Sequence, residues 1–121
     1  MKLRLSSPGV NILLELRDTP TAHAVFEAAP FEARAQTWGE EVYFETPVKA
    51  KLEADAKQVV DPGTVCFWTQ GDALALPFGR TPISTDARPK LANPCNVLGF
   101  LPEFASLRKI KPGDKVRVEK A

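Results

Sequence analysis

The residues best suited to chemistry lie in one short run of the sequence, TWGEEVYFETP, at positions 37–47. Two adjacent carboxylates, Glu40 and Glu41, follow a Trp-Gly pair and precede Tyr43. Paired carboxylates serve general acid–base catalysis when both of them face one substrate. The alternation of the run predicts a strand, and adjacent residues of a strand point to opposite faces. The two glutamates are therefore not predicted to act as a catalytic pair.

The same alternation predicts which of the two acids lines a pocket. We expect Val42 and Phe44 to face the core, so that Glu40 shares the buried side of the strand. Glu41 and Tyr43 then belong to a solvated face. Glu40 either closes the hairpin as a strand-end residue or lines a pocket as an acid. A hydrolase or lyase built on Glu40 is the hypothesis that follows from the second alternative.

The aromatic residues offer an apolar surface near these acids. Trp38 and Gly39 are predicted to form a hairpin corner, with Trp38 covering one end of the fold. Phe67 and Trp68 are adjacent, so one of them points inward and the other outward. Together with Tyr43, the outward one can form an aromatic patch for a peptide or a small apolar ligand, unless a helix covers it.

A second group of candidates lies around the loop FGRTP, which begins at Phe78. Gly79 permits a sharp turn at a strand end, so that Arg80 can lean over the end of the sheet and bind a carboxylate or carbonyl oxygen. The alternative is a solvated arginine. Asn93 and Asn96 flank a later strand and can add amide hydrogen bonds, or simply form a turn and a strand-end cap.

Few other reactive side chains are present. Cys66 and Cys95 lie in apolar settings without a CxxC spacing and are predicted to be buried free thiols. His23 is the only histidine, and it has no evident partners for a dyad or a zinc site. The sequence has no phosphate loop, nucleophile elbow or paired metal motif, so no cofactor and no metal site is predicted.

Composition and charge narrow the class of protein further. The chain has 121 residues, with 16 basic and 15 acidic side chains and a net charge of +1. This balance favours neither nucleic acid nor an anionic membrane as a partner. No stretch approaches the roughly 18 apolar residues of a membrane span. We expect one domain, 1–121, in the cytoplasm, with a small molecule or a peptide as its partner.

Eight short strands and two short helices are predicted. The strands cover residues 1–5, 10–16, 31–37, 40–46, 64–69, 73–78, 95–101 and 115–119. The first helix begins after Asp18 or Thr19 as N-cap and ends at Pro30. Its apolar stripe comprises Ala22, Val25, Phe26 and Ala29. The second helix covers PEFASLRKI, in which Phe104, Leu107 and Ile110 share a face.

The excess of strands over helices excludes repeated βαβ units. A single open sheet of this size would leave edges exposed to aggregation. The prediction is therefore mainly β: a closed eight-stranded antiparallel barrel with the two helices capping it.

Three segments of the chain resemble the small bacterial and archaeal cyclophilin-like proteins of unassigned function. They are PFEARAQTWGEEVYFETPV, GTVCFWTQGDALALPFGRTPIS and NVLGFLPEFASLRKIKPGDKVRV, which cover more than half of the chain in the family's order. The resemblance implies a cyclophilin-type barrel of eight strands capped by two helices, which agrees with the strand count.

The resemblance to true cyclophilins, which are peptidyl-prolyl isomerases, is fainter. Those enzymes carry a Phe-His-Arg run whose arginine contacts the prolyl carbonyl, whereas this chain has Phe31-Glu32-Ala33-Arg34. Their Gln-Phe-Phe-Ile run is replaced by ALALPF at residues 73–78. The expected function is a binding module without ordinary isomerase activity. Its ligand is expected at a barrel mouth rimmed by Trp38, Glu40, Tyr43, Phe78, Arg80 and Asn96. The alternative is a divergent isomerase that uses Arg34 or Arg80.

Overall fold

Strands are the main regular structure of the computed structural model, which describes residues 1–121. Ten strand segments and two helices follow one another along the chain. The strands are β1 (Lys2–Ser7), β2 (Val10–Leu16), β3 (Phe31–Arg34), β4 (Gln36–Thr37), β5 (Glu41–Glu45), β6 (Lys57–Val59), β7 (Thr64–Trp68), β8 (Ala73–Pro77), β9 (Lys90–Phe100) and β10 (Lys115–Lys120). The helices are α1 (Pro20–Ala28) and a short 3₁₀ helix (Phe104–Lys109). No helix is both long and apolar enough to cross a membrane.

Antiparallel pairing joins the strands into one sheet, whose two ends adjoin. The order is β3-β10-β1-β2-β9-β7-β8-β5-β4, and β6 pairs with β9 beside this path. β3 and β4 occupy the two ends of the order, yet Ala35 alone separates them along the chain. The sheet therefore curls into a nearly closed barrel, and the predicted mainly-β cyclophilin-like barrel is confirmed.

Three details of the strand prediction differ from the structure. The predicted strand 31–37 is divided at Ala35 into β3 and β4. β9 begins at Lys90 instead of residue 95, because Pro94 is tolerated within it. That proline is exposed and lies where the pairing of β9 with β6 is irregular, so its missing N–H costs little. β6, three residues long, has no counterpart among the predicted strands.

Helix α1 follows its predicted capping and burial pattern. The Thr19 side chain is the N-cap and accepts a hydrogen bond from the Ala22 N–H (3.2 Å), while Pro20 occupies the first helical position. Ala22 and Val25 are fully buried, and Phe26 packs against the same core. The predicted apolar stripe is confirmed.

The second predicted helix is a 3₁₀ helix. Leu107 and Ile110 are buried, and Phe104 packs against the barrel core with them. Their spacing of three residues matches the three residues per turn of a 3₁₀ helix, which keeps all three on one face. The predicted shared face is confirmed.

The barrel interior is a core of 22 buried apolar residues. Strand alternation supplies most of them, including Leu3 and Leu5 from β1, Val42 and Phe44 from β5, and Phe67 from β7. The prediction that Val42 and Phe44 face the core is confirmed.

A smaller cluster lies on the outer side of β5, β7 and β8. It comprises five buried residues, which are Val60, Cys66, Ala75, Leu91 and Cys95. Tyr43 and Trp68 pack against them. These side chains alternate with core residues of the same strands, so the sheet is buried on both faces here. We call this group the outer cluster. It contradicts the prediction that Glu41 and Tyr43 belong to a solvated face, but both cysteines are buried free thiols as predicted.

Candidate functional site

An apolar pocket opens at the edge of the outer cluster. Its volume is about 270 Å³, and seven of its eight lining residues are hydrophobic. The lining consists of Trp38, Glu41, Tyr43, Trp68, Ala75, Leu91, Ala92 and Cys95. We call this cavity the outer pocket.

Strand register places these side chains together. Glu41 and Tyr43 are two residues apart on β5 and therefore share its outer face. Tyr43 pairs with Ala75 of β8, which in turn pairs with Cys66 of β7. Cys95 of β9 completes the outer cluster from the neighbouring strand. The floor of the pocket is thus set by backbone pairing across four strands.

The hairpin corner between β4 and β5 supplies Trp38. The backbone N–H of Trp38 donates to the backbone carbonyl of Glu41 (3.0 Å), which closes the corner. Gly39 has a φ of +59°, in the left-handed region that favours glycine. A Cβ at this position would lie 2.9 Å from the Arg80 carbonyl oxygen, so the corner also packs tightly against the loop after β8. Trp38 is therefore held beside the acid.

Glu41 is the one acidic residue of the pocket, and it is only 6% exposed. Its Oε1 atom is buried without a hydrogen-bond partner. Burial raises the pKa of this carboxyl from 4.5 to about 7. A buried polar group without a partner is costly, and such groups concentrate at functional sites. Glu41 is therefore the main polar feature of the outer pocket and its candidate functional group.

The two thiols of the outer cluster stay protonated beside this acid. Burial, and secondly the charge of Glu41, raises the pKa of the Cys95 thiol to about 12. Burial is also the main cause that raises the pKa of Cys66, followed by Cys95 and Glu41. A thiol acts as a nucleophile only as its thiolate. Both cysteines therefore act as apolar side chains, and of the two only Cys95 lines the outer pocket.

Trp68 forms a fixed wall of the outer pocket. Its indole Nε1–H donates to Asn93 Oδ1 (3.1 Å) and Gln70 Oε1 (3.0 Å). Its ring meets that of Tyr43 edge to face, with centroids 6.4 Å apart and planes at 85°. Phe67 points into the barrel core, so Trp68 is the outward member of the adjacent pair. Two aromatic walls at right angles result.

A second, more polar groove lies on the other side of these two rings. Its volume is about 600 Å³, and Tyr43 and Trp68 line it as well as the outer pocket. Arg34 and Phe31 of β3 form part of its wall. The Arg34 guanidinium donates through Nη1 to the Gly113 carbonyl (3.2 Å). We call this cavity the β3 groove.

Glu40 and Phe78, two of the predicted site residues, lie together but outside both cavities. Glu40 Oε2 accepts a hydrogen bond from Arg108 Nη1 (2.8 Å), and the Arg108 guanidinium lies 5.2 Å from the centre of the Phe78 ring. Glu40 is in the hairpin corner, because β5 begins at Glu41. The strand alternation used to place Glu40 on the buried side therefore does not reach it.

Arg80 and Asn96 also lie outside both cavities. Arg80 is exposed and donates to the Ser84 carbonyl (3.3 Å). Asn96 is fully buried, and its amide donates to Thr21 Oγ1 and the Lys51 carbonyl (2.9 Å each). It thereby ties α1 to β9. Of the six predicted ligand-binding residues, the structure brings only Trp38 and Tyr43 together in a pocket.

Glu41 is the main residue that sequence reasoning did not place at a site. A usable signal existed in the neighbouring strands: TVCFW and ALALP are apolar at nearly every position. Continuous apolar strands indicate burial on both faces. Strands of that kind beside β5 imply that its outer face, and Glu41 with it, is covered.

Comparisons with known proteins agree with this fold. The model of the cyclophilin-like family matches residues 1–119 of the chain. The solution structure of a hypothetical protein from Archaeoglobus fulgidus is similar, with 36% sequence identity and a TM-score of 0.84. That alignment covers 100% of this chain and 95% of the other. No curated protein matches the chain. The chain therefore belongs to the cyclophilin-like family.

Proposed function

We propose that this protein is a small-molecule-binding module and that the outer pocket is its binding site. The observation that carries the proposal is Glu41 Oε1, buried in an apolar cavity without a hydrogen-bond partner. An unpaired buried polar atom costs about 1–3 kcal/mol. In the free protein this cost lowers the stability of the fold. A ligand that hydrogen-bonds to this carboxyl removes the cost.

The size and lining of the outer pocket describe its ligand. Its volume of about 270 Å³ lies at the small end of ligand cavities. The hydrophobic lining favours an apolar or aromatic body, and the single carboxyl favours one polar group. Small-molecule sites commonly combine an apolar wall with few polar groups that orient the ligand.

The two tryptophans of the chain allow a direct test. Trp38 and Trp68 are the only ones, and both line the outer pocket. We expect a screen of small aromatic fragments to include ligands that change tryptophan fluorescence and shift the indole and Glu41 amide resonances in NMR spectra. Fragments that shift only residues of the β3 groove, or no binding at all, would contradict the proposal.

A divergent peptidyl-prolyl isomerase is the second candidate function. The observation in its favour is Arg34, which lines the β3 groove together with Phe31 and Trp68. An isomerase needs an arginine within hydrogen-bond reach of an apolar site that accepts proline. Arg80 lines neither cavity, so Arg34 is the better of the two arginines.

A proline-isomerisation assay separates the two functions. If the protein is an isomerase, it accelerates the reaction, Arg34→Ala abolishes the acceleration, and Arg80→Ala serves as the control with little effect. A rate equal to the uncatalysed one rejects the isomerase. Glu41→Gln should leave any isomerase activity unchanged, because Glu41 does not line the β3 groove.

A further inference from the structure

We infer that the ligand of the outer pocket is a small organic cation, an ammonium with at least one N–H, held between the aromatic rings and the Glu41 carboxylate. This inference rests on the proposed function, because it names the chemical class of the ligand in the same pocket. Its three supports are the aromatic walls, the uncompensated acid and the shape of the remaining lining.

The aromatic walls favour a positive charge. Trp38, Tyr43 and Trp68 all line the pocket, and the last two meet at 85°. Aromatic faces carry partial negative charge, so a cavity lined by three aromatic residues favours a cation over an anion. Aromatic residues around a cavity are a general means of recognising substituted ammonium groups.

The acid is not compensated by any positive charge of the protein. No lysine or arginine lines the pocket, and burial is the cause that raises the pKa of Glu41. The titratable groups around the carboxyl are Tyr43 on β5, Cys66 on β7 and Cys95 on β9. None of these groups carries a positive charge in any protonation state.

The neighbouring residue Glu40 shows how the charge of a carboxylate is compensated in this protein. Glu40, one residue earlier, is paired with Arg108 at 2.8 Å. Glu41 has no such partner, although it is far more deeply buried. A buried carboxylate calls for a cation or for hydrogen-bond donors. An ammonium N–H directed at the carboxylate supplies both.

The rest of the lining limits the size of the cation. Ala75, Leu91, Ala92 and Cys95 offer apolar contacts and no further charge. Together with the volume of about 270 Å³, they fit an ammonium that carries one short alkyl or aryl group. A polyamine or a peptide backbone would leave polar groups unpaired against this wall.

The inference predicts a definite pH dependence. The cation binds the carboxylate form of Glu41, so the affinity falls when the carboxyl becomes protonated. With a pKa of about 7 for this group, binding should weaken about 100-fold between pH 8 and pH 5. A neutral ligand that accepts a hydrogen bond from the protonated carboxyl would show the opposite trend.

Benzylammonium and its neutral analogue benzyl alcohol are suitable probes. We expect tryptophan fluorescence and NMR to show benzylammonium in the outer pocket at pH 8, with the about 100-fold loss at pH 5. Glu41→Gln should weaken binding at pH 8 by at least about tenfold and remove its pH dependence. Glu40→Gln is the matched control and should leave binding unchanged, because Glu40 lies outside the pocket.

The possible results separate the inference from the proposed function. Two results would overturn the cation inference and still support the pocket as a binding site. In the first, benzyl alcohol binds the outer pocket as tightly as benzylammonium; in the second, Glu41→Gln leaves the binding intact. Absence of benzylammonium binding also overturns the inference, and the fragment screen then decides on the proposed function. NMR spectra of each variant confirm that the fold is retained.

Discussion

The two faces of β5 differ in what they do, although both are buried. Val42 and Phe44 point into a core of 22 buried apolar residues. Glu41 and Tyr43 point towards the outer cluster of five buried residues, beside a cavity of about 270 Å³. The inner face is filled with apolar side chains, whereas the outer one holds an unpaired acid and open volume. One strand thus stabilises the barrel with one face and lines the outer pocket, the proposed binding site, with the other.

The largest expected contrast is in the packing energy of the two faces. Phe44→Ala should destabilise the protein by about 3–5 kcal/mol, because it opens a cavity in a filled core. Tyr43→Ala should cost only about 1–2 kcal/mol, because Tyr43 is half-buried and borders a cavity already. Urea denaturation measures both values, and Phe44→Leu provides a milder variant for the inner face. Equal losses at the two positions would contradict the difference between the faces.

The second contrast is in pH dependence, which only the outer face should show. The Glu41 pKa is about 7 in the folded protein and near 4.5 when the chain is unfolded. Between these values the folded state binds more protons, so stability falls as pH rises. The contribution of Glu41 to this loss should reach about 3 kcal/mol by pH 8, as judged from the size of the pKa shift.

Glu41→Gln checks this prediction, because glutamine cannot ionise. Urea denaturation at pH 4 to 8 should show a flatter pH profile for this variant, and higher stability than the natural protein at pH 8. Glu40→Gln is the control, since its carboxyl is partly exposed and paired with Arg108. A Glu41→Gln profile parallel to that of the natural protein would mean that Glu41 has an ordinary pKa.

The smallest effect on stability is expected from filling the outer pocket. Ala92 lines it and is exposed, so Ala92→Phe adds apolar surface without displacing the core. The free energy of unfolding should change by less than about 0.5 kcal/mol. Fragment binding, followed by tryptophan fluorescence, should nevertheless be lost. Retained binding with Ala92→Phe would place the ligand elsewhere on the molecule.

Local patterns in the sequence predict most of the barrel. Alternation places Val42 and Phe44 inside, and Thr19 and Pro20 set the start of α1 as predicted. The three-residue spacing of the 3₁₀ helix likewise gives its buried face. These features depend on neighbours within a few residues along the chain, so the sequence contains the information directly.

The candidate site depends on distant parts of the chain and was only partly predicted. The sequence predicts Trp38 and Tyr43 as site residues, and both line the outer pocket, but it places Glu41 on a solvated face. The residues that cover it, Leu91 and Cys95, belong to β9, about fifty residues later in the sequence. The sequence predicts a strand only from residue 95 onwards, so the first part of β9, which carries Leu91, lies outside the predicted strand.

The sequence by itself determined which residues of β5 share a face, because side-chain direction follows from strand geometry alone. Strand geometry does not extend to Glu40, because β5 begins at Glu41, so it does not settle how the two glutamates lie relative to each other. Only the tertiary structure decided which of the two is buried and which is ion-paired. Burial raises the pKa of Glu41, and that burial comes from distant residues around the outer pocket such as Cys95 of β9, whereas the Glu40 carboxylate is paired with Arg108 from the 3₁₀ helix. Long-range packing sets the dielectric environment of a carboxyl, and no local pattern reports it.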